Sequence, residues 1–480
     1  MPAEIAILHG WSDTSKSFLP LKDFLVHNGF QATDIWLGDY ISVDDDIRVE
    51  DVSKRMEKIV RTEIANSKLN VPFDLIVHST GGLVARDWIS RFYPTGNKSP
   101  VKRVIMLAPA NFGSRLATLG KSVVGRVRMG WDNWFQTGQE MLNELELASP
   151  YQWDLARRDL FDPDGTATGP YGISVWPFVL VGSRAYKEGL RQILNEDGSD
   201  GTVRCAAANL NASGLTVDFS ANPERPIATP WSWRAGTTQF PFAILPDRDH
   251  SLIHAPDTAS GATDELSGQL GKLILQALNC NSIETYSTLF REWEAISERT
   301  YQLSRDADVL RQAFVGNPPS PSALEQYIQV ITRVTDDEGQ DVTDYFLEFF
   351  SPDQDNDDEA IYFHQKVLRH VYVNSQTGSL RCLFVDHSDL MAGYYPIIKD
   401  PAKRLVALSI SAAEPGLNIR YFDSTKEGAK GYLVVHHEDE EKRAELGAAR
   451  LHHNATHLVE IIIPRQSIDR VFSLAQGLTP

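Results

Sequence analysis

Two hydrophobic rhythms divide the chain. Up to about residue 280, short unbroken apolar runs alternate with stretches whose apolar residues recur every three or four positions. The runs include Ile5–Leu8, Leu75–Val77, Val104–Leu107, Trp176–Val181 and Phe240–Leu245. The helical stretches include Val52–Ala65, which precedes the second of these runs, Leu83–Phe92, which follows it, and Thr263–Leu278. Buried strands alternating with helices predict a parallel sheet covered on both faces, here about six strands.

Beyond residue 324 the rhythm changes. Tyr327–Val334, Thr343–Phe350, Arg381–Val385, Arg404–Ile410, Leu417–Phe422 and Leu458–Pro464 read as strands with polar turns between them, and Asp336-Asp-Glu-Gly339 is a hairpin-turn signal. Six to eight short strands in about 155 residues predict a β-sandwich, loosely immunoglobulin-like or C2-like. Between the two regions, residues 282 to 314 read as a long polar helix, and Asn317-Pro-Pro-Ser-Pro-Ser322 reads as a stiff linker. The expected division is an α/β domain over 1–281 with an insertion at 115–175, a helix and linker over 282–323, and an all-β accessory domain over 324–480.

The chemistry gathers at the ends of the predicted strands. The run at Asp74-Leu-Ile-Val-His78 ends in Ser79-Thr80-Gly81-Gly82, a sharp strand-to-helix turn that presents a hydroxyl. Upstream, Ile5–Leu8 ends in His9-Gly10-Trp11. Downstream, Asn195-Glu-Asp197-Gly-Ser-Asp200-Gly-Thr-Val203 follows a buried strand, and Pro246-Asp-Arg-Asp-His250-Ser251 follows another. Nucleophile, then acid, then histidine is the chain order of α/β-hydrolases and differs from two other well-known triad orders.

On these residues, together with Ala108-Pro-Ala-Asn-Phe-Gly-Ser114, the stretch from residue 4 to about 280 resembles a bacterial lipase or esterase domain of the α/β-hydrolase superfamily, near the minimal lipases and the GPI-inositol-deacylase-like group. The resemblance implies a short sheet without the two leading strands of larger members. It implies Ser79 as nucleophile, His250 as general base and Asp200 as its carboxylate, with the backbone N–H groups of Trp11 and Thr80 as oxyanion donors. Asp197 is the rival acid; Asp200 is favoured because Asp-Gly-Thr-Val continues as the family pattern does. His78 and His254 are the rival bases. His78 adjoins the nucleophile in sequence and reads as a polar neighbour, and His254 reads as part of a following helix. Cys205 reads as a small buried side chain rather than a nucleophile. One residue departs from the family pattern: Val77 stands where a small residue is usual, and its branched side chain faces the next helix.

Composition narrows the picture further. A 480-residue chain with 42 % hydrophobic residues and ten tryptophans supports two cores. Three scattered cysteines do not make a disulfide framework. A net charge of −18 argues against nucleic acid as a partner. The first strand begins at once, and no apolar stretch is long enough to span a bilayer, so a cytoplasmic or non-classically secreted protein is expected. From Arg115 to Trp134, Arg115, Lys121, Arg126 and Arg128 accompany apolar residues at helical spacing. This lid-like segment suits transient contact with a lipid interface, and equally a simple cover over the acyl pocket.

Two further motifs invite overreading. The tract Asp353–Glu359 lacks the glycine and terminal acid of a calcium loop. The histidines at 436, 437, 452, 453 and 457 have charged residues between them and read as an exposed loop and helix. No metal or cofactor is expected. The sequence therefore reads as a serine carboxylic ester hydrolase, a lipase or phospholipase. A small-ester esterase and an acyltransferase are the alternatives of the same chemistry. The alternative of another class is a delivered toxin-like effector or surface-binding protein, whose C-terminal domain docks to lipid, glycan or a protein partner.

Overall fold

A computed structural model of the protein describes residues 3–10, 14–31, 35–40, 44–117, 138–162, 165–172, 174–186, 195–256, 268–314, 318–352, 358–421, 431–446, 451–468 and 471–472. Trp11, most of the basic stretch 115–134 and most of the acidic tract 353–359 lie outside these residues.

The first compact unit comprises residues 1–212, 232–327 and 453–456. Its main sheet contains β1 (Ala3–Leu8), β2 (Ile35–Gly38), β3 (Leu69–His78), β4 (Val101–Leu107), β5 (Trp176–Gly182) and β6 (Phe242–Leu245). Their spatial order is β6-β5-β4-β3-β1-β2, and every pair is parallel. All of β5 and β6 is buried, as is nearly all of β4, so these strands read as continuous apolar runs rather than alternations. Register aligns the carboxyl ends: Leu8 pairs with Val77, His78 with Leu107, Leu107 with Leu180, and Gly182 with Leu245. The residues that follow these ends, His9, Ser79, Ala108 and Ser183, therefore share one rim.

Helices cover the sheet. The helix Gly81–Phe92 buries every residue from Gly81 to Ser90. The helix Ile283–Tyr301, expected to lead into a linker, belongs to this unit instead. It lies along β6: Ser297 Oγ accepts from the Ile244 N–H, and Thr300 Oγ1 donates to the Ile244 carbonyl. Trp293 and Tyr286 are fully buried beneath it. The expected single helix over 282–314 is two, Ile283–Tyr301 and Ala307–Ala313.

The second unit comprises residues 213–231, 328–452 and 457–480. It is built on a six-stranded sheet, in the order Leu368–Val373, Leu380–Asp386, Tyr327–Asp336, Ala455–Ile463, Ser213–Asp218 and Ile227–Pro230, and a three-stranded antiparallel sheet, Tyr345–Phe350, Leu405–Ala412 and Leu433–His437. Leu347, Phe349 and Ile410 from the smaller sheet share a core with Val330, Val334 and Ile461 from the larger. The sandwich-like β region expected after residue 324 is present.

Its boundary differs from the expected one. Residues 213–231 group with the second unit although they precede residue 281. Ser213–Asp218 pairs in parallel with Ala455–Ile463, buries Leu215 and Val217 in the shared core, and turns back through Ile227–Pro230. A Cβ on Gly214 would lie 2.1 Å from the Trp231 ring, so glycine is needed where that indole crosses the strand. The histidine cluster differs from expectation in part: His436, His437 and His457 lie buried within or at the end of strands, while His452 and His453 are exposed. Among the described residues no three His, Cys, Asp or Glu side chains converge as a metal site, and no helix is long and apolar enough to cross a membrane.

Candidate active site

The rim of the parallel sheet brings together residues far apart in sequence. Ser79 follows β3 with φ of +53°, a left-handed conformation that a non-glycine residue adopts at a cost of about 1–3 kcal/mol. Its N–H donates to the Leu107 carbonyl, which fixes the turn to β4. The neighbouring glycines make room for the turn. A Cβ on Gly10 would fall 2.6 Å from Ser79 Cβ, and one on Gly82 would fall 2.7 Å from Pro109 Cβ. Val77, the departure from the family pattern, is fully buried, and a Cβ on Gly81 would press on the His9 carbonyl at 3.0 Å. The branched residue is absorbed without opening the elbow.

His250 Nε2 lies 3.1 Å from Ser79 Oγ, and its Nδ1 lies 2.8 Å from Asp200 Oδ2. Ser79 remains partly accessible, while Asp200 is completely buried. The local sequence explains how the carboxylate is held. Asp200 Oδ1 accepts the N–H groups of Thr202 and Val203 at 2.9 and 2.8 Å, an Asx turn that Gly201 completes at φ of +96°. The His250 N–H in turn donates to the Asp200 carbonyl. Asp197 is half-buried, and it is Asp200 whose carboxylate meets the imidazole.

The rival histidines sit beside this relay. His78 is buried, its ring 4.8 Å from that of His250, and its Nε2 lies 3.0 Å from the His250 carbonyl. Burial, aided by the neighbouring histidines, holds the His78 pKa well below the usual imidazole range. The ring is therefore neutral, and its Nε2–H donates to that carbonyl. His78 thus holds the main chain of the histidine loop. His254 lies in the turn after His250, 5.3 Å from His78 ring to ring, rather than in a helix. Cys205 is buried, its thiol pushed up to about 12 by desolvation, which removes it as a nucleophile at neutral pH.

Several bracing residues were not legible from motif reading. Asp249, next to His250, accepts the Ser251 and Leu252 N–H groups on one oxygen and Arg184 on the other at 2.7 Å. Arg86, one turn into the elbow helix, makes a fully buried two-point pair with Asp159 and donates to the Asn111 carbonyl. Ser114 Oγ donates to the Thr202 carbonyl, tying the Ala-Pro-Ala-Asn-Phe-Gly-Ser loop to the acid loop. The only sequence signal for these was a polar residue inside an apolar stretch.

Thr80, the first residue after Ser79, is buried at the amino end of the helix Gly81–Phe92. Of the two expected oxyanion donors, Trp11 lies outside the described residues. Gly10, before it, passes directly against Ser79.

No family model matches the chain, and no curated protein matches it. Among solved structures, phospholipase PlaB from Legionella pneumophila is similar over 100 % of this chain and 97 % of its own, with 26 % identity and a TM-score of 0.77. The same phospholipase in complex with thio-NAD is similar over 99 % and 97 %, with 25 % identity and a TM-score of 0.74. The likeness runs through both units, and the all-parallel sheet with its serine-bearing elbow agrees with it. The chain is an α/β-hydrolase of the lipase and esterase kind.

Proposed function

We propose that the protein hydrolyses carboxylic esters of lipids, as a lipase or phospholipase, through an acyl-enzyme on Ser79. The observation that carries this reading is the unbroken relay from Ser79 Oγ through His250 to the buried Asp200. In this reading Ser79 Oγ attacks the ester carbonyl and its proton passes to His250 Nε2. The developing imidazolium is stabilised by the Asp200 carboxylate on Nδ1. The Thr80 N–H, at the positive end of a helix, is directed to the oxyanion, and the loop of Gly10 and Trp11 supplies the second donor. His250 then gives the proton to the leaving alcohol, and a water activated by the same nitrogen releases the fatty acid. The phospholipase neighbour supports lipid as the substrate class.

Two measurements on the full chain test this. An organophosphonate probe, read by peptide mass, is expected to label Ser79 and to leave Ser79→Ala unlabelled. Hydrolysis of phosphatidylcholine and of triacylglycerol is expected to fall by at least ~10⁴-fold in Ser79→Ala. Label on another residue, or lipid hydrolysis that survives the substitution, refutes the reading.

A further inference from the structure

The carboxylate that meets His250 stands in a loop, and part of what holds that loop comes from far along the chain. The Cys205 N–H donates to the Gly198 carbonyl, so the turn carrying Asp200 is closed onto the start of the helix Cys205–Ala208. Where Asp200 lies therefore depends on where that helix sits. A helix of four residues makes almost no bonds within itself, and its last carbonyls find no partner there. Its side chains, a thiol and three methyls, offer little to grip. It must be located from outside.

Three distant donors do this. Asn111 Nδ2 donates to the Ala208 carbonyl at 2.7 Å, and the Phe112 N–H donates to the Ala207 carbonyl at 3.0 Å, both from the loop after β4. Thr456 Oγ1 donates to the Ala206 carbonyl at 3.0 Å. Just past the helix, Asn209 Nδ2 donates to the Asn454 carbonyl at 2.8 Å. Residues 453–456 group with the first unit, although residues 328–452 before them belong to the second. They are fixed in turn. The Asn454 N–H donates to the Tyr327 carbonyl at 2.7 Å, and Asn454 Oδ1 accepts from the Tyr301 hydroxyl at 3.1 Å, at the end of the helix Ile283–Tyr301. Asn454 has φ of +53°, a left-handed conformation that asparagine adopts more readily than most residues. Thr456 is completely buried at the start of the strand Ala455–Ile463. Valine has the same shape and suits such a position, so what threonine adds is the hydrogen bond.

We propose that Thr456, with Asn454 beside it, is a positioning residue for the relay: it pins the helix Cys205–Ala208 and so holds the Asp200 carboxylate against His250. The inference rests on the hydrolase reading above, and its test separates the two. Kinetics on a soluble nitrophenyl ester and organophosphonate labelling are measured on the full chain. Thr456→Val is expected to lower kcat about tenfold with KM changed less than about twofold, because a displaced catalytic group weakens the transition state rather than substrate binding. Thr456→Ser keeps the hydroxyl and is expected to stay within about twofold of wild type. The decisive arm is a double-mutant cycle. In Asp200→Asn protein, adding Thr456→Val is expected to cost less than about twofold more, since the carboxylate it positions is already gone. A purely structural role moves neither the split between kcat and KM nor the cycle. Wild-type kcat in folded Thr456→Val, a Thr456→Ser as slow as the valine variant, or the full loss repeated on Asp200→Asn overturns the proposal. Should Thr456→Val not fold, Tyr301→Phe, which takes the hydroxyl from Asn454 Oδ1, decides by the same cycle, with a loss of about threefold expected. Label on Ser79 with an unchanged Thr456→Val rejects the pin and keeps the hydrolase. Wild-type protein unlabelled at Ser79 rejects both.

Discussion

Two buried histidines, one in each unit, set the imidazole we propose as general base against a structural one. At the rim of the parallel sheet, His250 Nδ1 meets a carboxylate, Asp200, at 2.8 Å, and its other nitrogen faces a partly accessible hydroxyl. In the second unit His457 Nδ1 meets the Ser213 hydroxyl at 2.6 Å, and its Nε2 meets the backbone of His452. Both rings are fixed at both nitrogens, so rigidity does not distinguish them. The partner's charge does. A carboxylate stabilises the second proton on the ring, whereas at His457 only the His452 backbone opposes the cost of desolvation, and burial outweighs it. Burial accordingly drives the His457 pKa down to about 4. That ring stays neutral across the physiological range and serves as a hydrogen-bonded spacer between strands.

The sharpest way to break this contrast is to remove the charge while keeping the shape. Asp200→Asn retains two polar atoms at the same place but turns the rim histidine into a relative of His457. We expect kcat on soluble esters to fall about 10⁴-fold with folding intact, checked by steady-state kinetics and circular dichroism. A loss of less than tenfold would remove the carboxylate from the mechanism.

A smaller effect is expected where packing, not charge, serves the nucleophile. Gly10→Ala places a methyl 2.6 Å from Ser79 Cβ and, in the proposed mechanism, displaces the turn that leads to the second oxyanion donor. The expected loss is about 10²-fold in kcat, the usual worth of one such donor, with KM changed less than threefold. A change in KM alone would mean that this loop binds substrate without touching the transition state.

The smallest effect concerns stability and the structural histidine. The unfolded-state value near 6.5 lies above the folded value of about 4, so as pH falls through 6.5 the unfolded chain takes up the proton first. His457 therefore contributes its full stability above pH 6.5 and loses it progressively down to pH 4, in all roughly 3 kcal/mol. Urea unfolding of wild type and His457→Gln between pH 4 and 8 is expected to show a shallower slope in the variant, with ester hydrolysis at pH 8 unchanged. Parallel slopes would mean that the ring is protonated in the fold.

The same contrast explains what was legible in the sequence. Parallel strands buried on both faces announce themselves as apolar runs, and the chemistry of this fold is placed at strand ends, so Ser79, Asp200 and His250 were readable from local pattern and order. The Asx turn at Asp200 was written in the Asp-Gly-Thr-Val stretch itself. What local pattern does not carry depends on distant pairing. Ser213–Asp218 carries the same local signal whether it joins one sheet or the other, and its parallel neighbour begins more than 200 residues later. The helix Ile283–Tyr301 looked polar because only one stripe of it, including Tyr286, Leu289, Trp293 and Ile296, is buried. Of the histidines near the C-terminal end, His452 and His453 are exposed as the charges around them imply, whereas His436, His437 and His457 are buried in strands whose partners lie far off in sequence. His78 was placed correctly beside the nucleophile, but its hold on the His250 carbonyl depends on a loop 172 residues away.

The pairing of Ser213–Asp218 with Ala455–Ile463 bears on how the protein is made. A polypeptide leaves the ribosome at about 5–20 residues per second, so the earlier strand waits many seconds as an unpaired edge before its parallel neighbour exists. During that interval its apolar side chains Leu215 and Val217 lack their final cover. Premature termination between residues 250 and 455 leaves that strand with only Ile227–Pro230 beside it, in a product that still carries Ser79, Asp200 and His250, and such fragments are the ones to look for in inclusion bodies.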